Sequence, residues 1–221
     1  MITSLIAEKL ACARGERKLF EQLSFRVTAG QALAVEGANG AGKTSLLRML
    51  AGFLSPAAGR IVTRIEGSDS DDAEERGRQV GWLGHQDGLK PQLTVAEQLK
   101  FYSELYGRPL CPLRPASQGT SPVNGGGKEG AGEDVLAQVG LSRQADLPCR
   151  YLSAGQKRRL ALARLLVSQR ALWLLDEPFA ALDTSGQQLV AQLMARHCGA
   201  GGIIIAATHE PLGLGNESLK L

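Results

Sequence analysis

Apolar residues in this chain come in bursts of a few residues, separated by charged or glycine-rich stretches, and the spacing inside each burst selects its element. Residues 5–13 and 19–28 read as two strands joined by a charged turn at residues 14–18, a small antiparallel layer at the front. Residues 31–36 (QALAVE) are a short apolar run suited to a buried strand. In residues 44–53, Leu46, Leu47 and Leu50 recur at helical spacing, so a helix is expected to begin near Gly42. Residues 59–65 and 80–84 are further strands. Between them lies an acidic run, residues 68–75, holding Asp69, Asp71, Asp72, Glu74 and Glu75. It is expected to be a solvated loop, because no glycine or chelating register organises its carboxylates for a cation. Residues 93–106 predict a helix: Thr94 can cap it with Glu97 three residues on, and Val95, Leu99, Tyr102 and Tyr106 form one apolar stripe.

Residues 107–132 break this rhythm. They are crowded with Pro, Gly and Ser and cannot bury enough apolar surface to order themselves, so a flexible surface insertion is expected. A helix resumes over 133–139 and Gly140 closes it, and a short helical piece leads to Leu152. Residues 171–175 (ALWLL) are apolar throughout, the mark of a parallel strand buried on both faces. The longest apolar stretch, residues 201–207, is far below the ~20 residues of a membrane-spanning helix, so membrane association is expected to come through a partner.

Composition adds limits. At 221 residues and 43% hydrophobic content, one domain with its own core is expected, without staples. A net charge of +3, with no basic cluster interleaved with aromatics, argues against a nucleic-acid partner. Cys12, Cys111, Cys149 and Cys198 are scattered, with no C-x-x-C pair, and read as reduced thiols.

Three motifs carry chemistry. Gly37, Ala38, Asn39, Gly40, Ala41, Gly42, Lys43 and Thr44 satisfy G-x-x-x-x-G-K-S/T, followed by Ser45. In such a loop the backbone N–H groups line one concavity, the lysine reaches the outer phosphates and the hydroxyl ligates Mg²⁺. Strand before and helix after are the setting it needs, with the positive helix end beneath the phosphates. The second motif is Asp176-Glu177 at the carboxyl end of the apolar strand, where ligands of open α/β sheets sit. Asp176 is suited to holding Mg²⁺ with Thr44, and Glu177 to polarising the attacking water. The third is Leu152-Ser153-Ala154-Gly155-Gln156 at the start of a helical run. Serine, glycine and a helix N-terminus make a second anion site. One nucleotide does not need two such sites from one protomer, so ATP is expected to lie across a dimer. Arg158 and Arg159 next to it read most simply as solvated helix charges.

These motifs, in this order, resemble those of the ATP-binding subunits of ATP-binding-cassette (ABC) transporters, and the likeness runs nearly the whole length of the chain. Further marks are Gln86 in Leu83-Gly84-His85-Gln86, Ala181-Leu182-Asp183, and His209. Within that family Leu83 to Gln86, the Ala154 variant and Trp173 to Phe179 resemble the haem-exporter branch that serves cytochrome c maturation. The resemblance implies an α/β P-loop NTPase core with an N-terminal antiparallel β layer and an inserted helical subdomain, about residues 87–160, within one domain, 1–221. It implies Mg²⁺-dependent ATP hydrolysis. Lys43 would bind the β- and γ-phosphates; Thr44 and Asp176, linked through Gln86, would serve Mg²⁺. Glu177 would act as base or water orienter and His209 would contact the γ-phosphate. Ser153, Gly155 and Gln156 would close on the partner's ATP, with Asp183 acting across the dimer.

The implied partners are a second copy, head to tail, and integral-membrane permease subunits, with the chain peripheral on the cytoplasmic face of the inner membrane. Other cargo, a non-transport cassette and a phosphate-loop small-molecule kinase are the competing readings. Neither tandem cassettes nor long coiled-coil insertions are visible, and a kinase would not need Ser153 or His209. Two departures stand out. Arg14 occupies the place of an aromatic that stacks on adenine, which leaves base contact as a guanidinium stack or a weak contact. Ala154 replaces a glycine and restricts the backbone there, while leaving Ser153 and Gly155 in place.

Overall fold

The computed structural model describes residues 2–15, 17–107, 131–213 and 217–221. Its elements in chain order are β1 (Ile2–Arg14), β2 (Arg17–Thr28), β3 (Ala32–Glu36), α1 (Lys43–Leu50), β4 (Ala58–Ile65), β5 (Ser68–Ser70), α2 (Ala73–Gly77), β6 (Val80–Leu83), α3 (Val95–Leu105), α4 (Ala131–Gln138), α5 (Ala154–Ser168), β7 (Leu172–Asp176), α6 (Thr184–Gly199), β8 (Ile203–Ala207) and β9 (Glu217–Lys220). By internal contacts the chain divides into two units. One comprises Met1–Gln86, Arg170–Ala180 and Gln187–Leu221, the other Asp87–Gln169 and Ala181–Gly186.

The first unit holds both sheets. A four-stranded antiparallel sheet runs β2-β1-β4-β5, and a five-stranded parallel sheet runs β6-β7-β8-β3-β9. β7 and β8 are buried at every position, as their unbroken apolar sequences require. α1 packs on β7 and β8, and its Leu46, Leu47 and Leu50 join Leu5, Leu10, Val35, Leu174 and Ile205 in one core. Each such side chain contributes about 1.5–3 kcal/mol when fully removed from water. Arg76 of α2 is buried in this unit. Its guanidinium donates to Leu50 O (2.9 Å) and Ile61 O (3.4 Å), tying the carboxyl end of α1 to β4, and burial pushes its pKa down.

The acidic run departs from expectation. Residues 68–75 hold β5 and the start of α2 rather than a loop, and four of the five carboxylates there meet a local donor. Asp69 pairs with Arg64 (2.7 Å), Glu75 accepts from Ser70 (2.5 Å), and Asp72 caps α2 by accepting from Glu74 N (2.8 Å).

The second unit is helical. α3 begins with the expected capping box, Thr94 Oγ1 accepting from Glu97 N and Glu97 accepting from Thr94 N. α5 is its centre: Leu160, Leu162, Leu165 and Val167 are buried, and α3 and α4 pack on it. α4 starts two residues before the expected helix, and Gly140 (φ +67°) follows it. Most of the expected insertion, residues 108–130, lies outside the described residues, as does Cys111.

Candidate functional site

The phosphate loop folds where the sequence places it, and Gly42 shows why. It sits at φ +111° as the residue before α1, and a Cβ there would stand 3.1 Å from the Phe20 ring and 3.2 Å from Leu19. Only glycine satisfies both the dihedral and the close approach of β2. α1 therefore starts with no side-chain cap, and its amino end is left to an anion. Lys43 lies back along the loop, 8% exposed, with Nζ donating to Gly37 O (2.7 Å) and Ala38 O (3.3 Å). These carbonyls occupy the positions that phosphate oxygens would contest.

Beside the loop, Thr44 Oγ1 donates to Asp176 Oδ2 at 3.0 Å. Asp176 is buried at the end of β7, and its oxygen and the threonine hydroxyl are hard donors of the kind Mg²⁺ takes. Glu177 follows at φ +50°, a left-handed conformation that is strained for a non-glycine residue. Its N–H donates to Ala207 O (2.9 Å), so the strand end holds it in that conformation. His209 closes the group: Nε2 is 3.2 Å from Lys43 Nζ and 3.6 Å from Glu177 Oε1. One imidazole thus spans a cation and a carboxylate drawn from three separate stretches of chain.

A cavity of about 470 Å³ opens over this group. Asn39, Gly40, Lys43 and Thr44 line it from the loop, Asp176 and Glu177 from β7, and Ser45 from α1. Arg14, Arg17 and Leu19 line it from the β1–β2 hairpin, and His85 from the end of β6. Of these, Arg17 and Leu19 were not singled out by their sequence, and His85 only as part of the Leu83 to Gln86 run. The hairpin register, which sets Arg14 opposite Arg17, was the available signal for the first two. Gln86 is exposed at the last position of this unit and is not among the lining residues.

Ser153, Gly155, Gln156 and Asp183 all belong to the other unit. Ser153 caps α5 in a second capping box, its Oγ accepting from Gln156 N (3.2 Å) and Gln156 Oε1 accepting from Ser153 N (2.9 Å). The hydroxyl proton of Ser153 remains available to an incoming acceptor. Asp183 accepts from Gly186 N (2.8 Å) and Ser185 Oγ (3.1 Å), which start α6 and hold its pKa below the usual carboxylate range.

Arg158 is not solvated, contrary to expectation. It is buried in α5 with Nη1 3.1 Å from Asp87 Oδ1. Arg164 adds donations to Asp87 O (3.3 Å) and Tyr102 Oη (3.1 Å), and Tyr102 donates to Gly88 O (2.8 Å). The segment after Gln86 is thereby clamped to the helix that begins at Ser153. Among the described residues no helix is long and apolar enough to cross a membrane.

The ABC transporter family model matches residues 20–180. The cytochrome c biogenesis ATP-binding export protein of Rhodopseudomonas palustris strain HaA2 is 46% identical over 215 residues, covering 96% of this chain and 94% of its own length. That of Nitrobacter winogradskyi is 47% identical over 212 residues, with the same coverage. Among solved structures, a post-hydrolysis dimer of an ATP-binding cassette bound to ADP and Pi superposes with a TM-score of 0.76 at 21% identity, covering 98% of this chain and 94% of its own. That last likeness concerns the fold, which is the α/β ABC ATPase fold. The chain belongs to the ABC transporter ATP-binding family and, within it, to the group of cytochrome c biogenesis ATP-binding export proteins.

Proposed function

We propose that the chain is the ATP-hydrolysing subunit of an ABC transporter complex working in haem export or delivery for cytochrome c biogenesis. The observation that carries the ATPase reading is the meeting of Lys43, Thr44, Asp176 and Glu177 around one cavity, with His209 against Lys43 and Glu177. A triphosphate in the loop would take over Lys43 from the Gly37 and Ala38 carbonyls. Thr44 and Asp176 would hold Mg²⁺, with Gln86 completing the link, and the ion would neutralise charge on the phosphoryl oxygens. Glu177 would orient and polarise the attacking water, and His209 would contact the γ-phosphate. Catalysis of this kind is mainly positioning and charge stabilisation.

Ser153, Gly155 and Gln156 form a second anion site that serves ATP held by another copy, with Asp183 acting from the same side. This supports a head-to-tail homodimer docked on separate integral-membrane subunits at the cytoplasmic face of the membrane. The cytochrome c biogenesis relatives support the cargo assignment.

The test is phosphate release by the purified chain with Mg²⁺ and ATP and no phospho-acceptor. Glu177→Gln is expected to lower turnover at least about a hundredfold while retaining ATP binding and an ATP-dependent dimer, and Lys43→Ala to lose ATP binding. Turnover at the parent rate in Glu177→Gln refutes its role. In cells, Glu177→Gln should abolish holocytochrome c; normal levels would overturn the cargo assignment.

A further inference from the structure

Within the helical unit, one stretch of chain, residues 87–96, fastens the start of α5 at two places. Ahead of Ser153 the fastening is main chain. Ala96 N donates to Ala145 O (2.9 Å), Val95 N to Leu147 O (3.1 Å), Cys149 N to Leu93 O (2.8 Å) and Arg150 N to Pro91 O (3.1 Å). Past Ser153, just over one turn into the helix, Arg158 Nη1 reaches Asp87 Oδ1 at 3.1 Å, with the two side chains 4% and 24% exposed. Ser153, Gly155 and Gln156 lie between these fastenings. The two differ in chemistry. The main-chain bonds place few demands on side-chain identity. The ion pair is specific, yet a buried pair adds little stability over a well-packed apolar pair of similar volume, because desolvation offsets the attraction. Its distinct property is register: a small slide leaves a buried charge without its counter-charge, whereas one apolar side chain slides on another at little cost. Five residues of helix separate Ser153 from Arg158, about 7.5 Å of rigid rise, so a slide at one is a slide at the other.

We propose that Asp87 and Arg158 are positioning residues for the second anion site: their contact sets the register of α5 and so decides whether Ser153, Gly155 and Gln156 meet the ATP held by another copy. Both act through Ser153. Their effect therefore falls on the opposite copy's nucleotide, while the chain's own phosphate loop binds ATP as before. The proposal rests on the reading of Ser153, Gly155 and Gln156 given above.

It is tested in the full chain carrying Glu177→Gln, where ATP is expected to hold the dimer. Two variants are made on that background: Asp87→Asn, and Asp87→Leu together with Arg158→Met. For each, urea unfolding, the ATP Kd of the dilute chain and the protein concentration that gives half dimer with ATP are measured. Asp87→Asn keeps an acceptor in the same place and so keeps the register. It should be the less stable variant, yet dimerise within about threefold of the background chain. The apolar pair should be the more stable one, yet need about tenfold more protein to dimerise, with its ATP Kd within about twofold. A role in stability alone predicts the reverse order of dimerisation. Dimerisation of the apolar pair at the background concentration, or better than that of Asp87→Asn, overturns the proposal. An apolar pair less stable than Asp87→Asn overturns it too, since the ion pair would then be holding the fold. If the Glu177→Gln chain itself does not dimerise with ATP, the second-site reading falls and takes the proposal with it, an outcome separate from a failure of the register assignment.

Discussion

His197 gives a pH dependence whose size can be worked from its surroundings. Its ring stacks on Trp173 with centroids 3.9 Å apart and planes 12° apart, and its Nε2–H donates to Ala171 O at 3.1 Å. Burial against the indole disfavours the charged form and lowers its pKa from 6.5 to about 4, against the opposing pull of the backbone carbonyls. The unfolded chain binds a proton near 6.5 and the folded chain does not until about 4. Between those values stability therefore falls as pH falls, and above 6.5 the full contribution is present. At pH 5 the expected loss is up to about 2 kcal/mol relative to pH 7.5, since each pH step in the window is worth about 1.4 kcal/mol. Other groups titrate too, so urea unfolding is measured at both pH values for the parent and for His197→Phe, which keeps a ring on Trp173 but cannot titrate. The parent should lose about 2 kcal/mol more than the variant. Equal losses would refute the burial argument. The site is involved because Trp173 lies three residues before Asp176 in β7.

Two further outcomes are expected. Arg76→Met removes the donors that tie Leu50 O and Ile61 O together and should lower stability by about 2 kcal/mol in urea unfolding; a variant as stable as the parent would show that this buried cation holds nothing. Asp87→Leu deprives Arg158 of its carboxylate and should cost about 3 kcal/mol, whereas Asp87→Leu with Arg158→Met should recover most of it. Additive losses in that double variant would refute coupling between the two residues.

Much of the α/β core was legible because its signals are local. The apolar run of β7, the Leu spacing of α1 and the Thr94–Glu97 capping box each specify an element from a few neighbouring residues; β7 and α3 formed within two residues of their expected bounds, and α1 began where expected but ended three residues early, at Leu50. α6 and β9 were not anticipated. α6 buries Val190, Leu193 and Met194 amid polar residues, and β9 is a four-residue edge strand that exists through its pairing with β3. The acidic run misled only in its backbone: it is solvated, as its charge density suggests, but it forms β5 and the start of α2, whose local donors Arg64, Ser70 and the α2 amino end meet its carboxylates. Arg158 misled in the opposite direction, since a charged residue in a basic run gives no sign that a carboxylate 71 residues away will bury it.

The amino-acid sequence by itself determined that a phosphate loop follows a strand and precedes a helix, because glycine dihedrals, helix polarity and strand apolarity are properties of short segments. Only the tertiary structure decided what surrounds that loop. Strand pairing set Asp176 against Thr44, the β8 end brought His209 between Lys43 and Glu177, and the β1–β2 register turned two arginines onto the cavity. Those distances follow from the packing of a parallel sheet whose neighbouring strands lie far apart in sequence, so no local pattern encodes them.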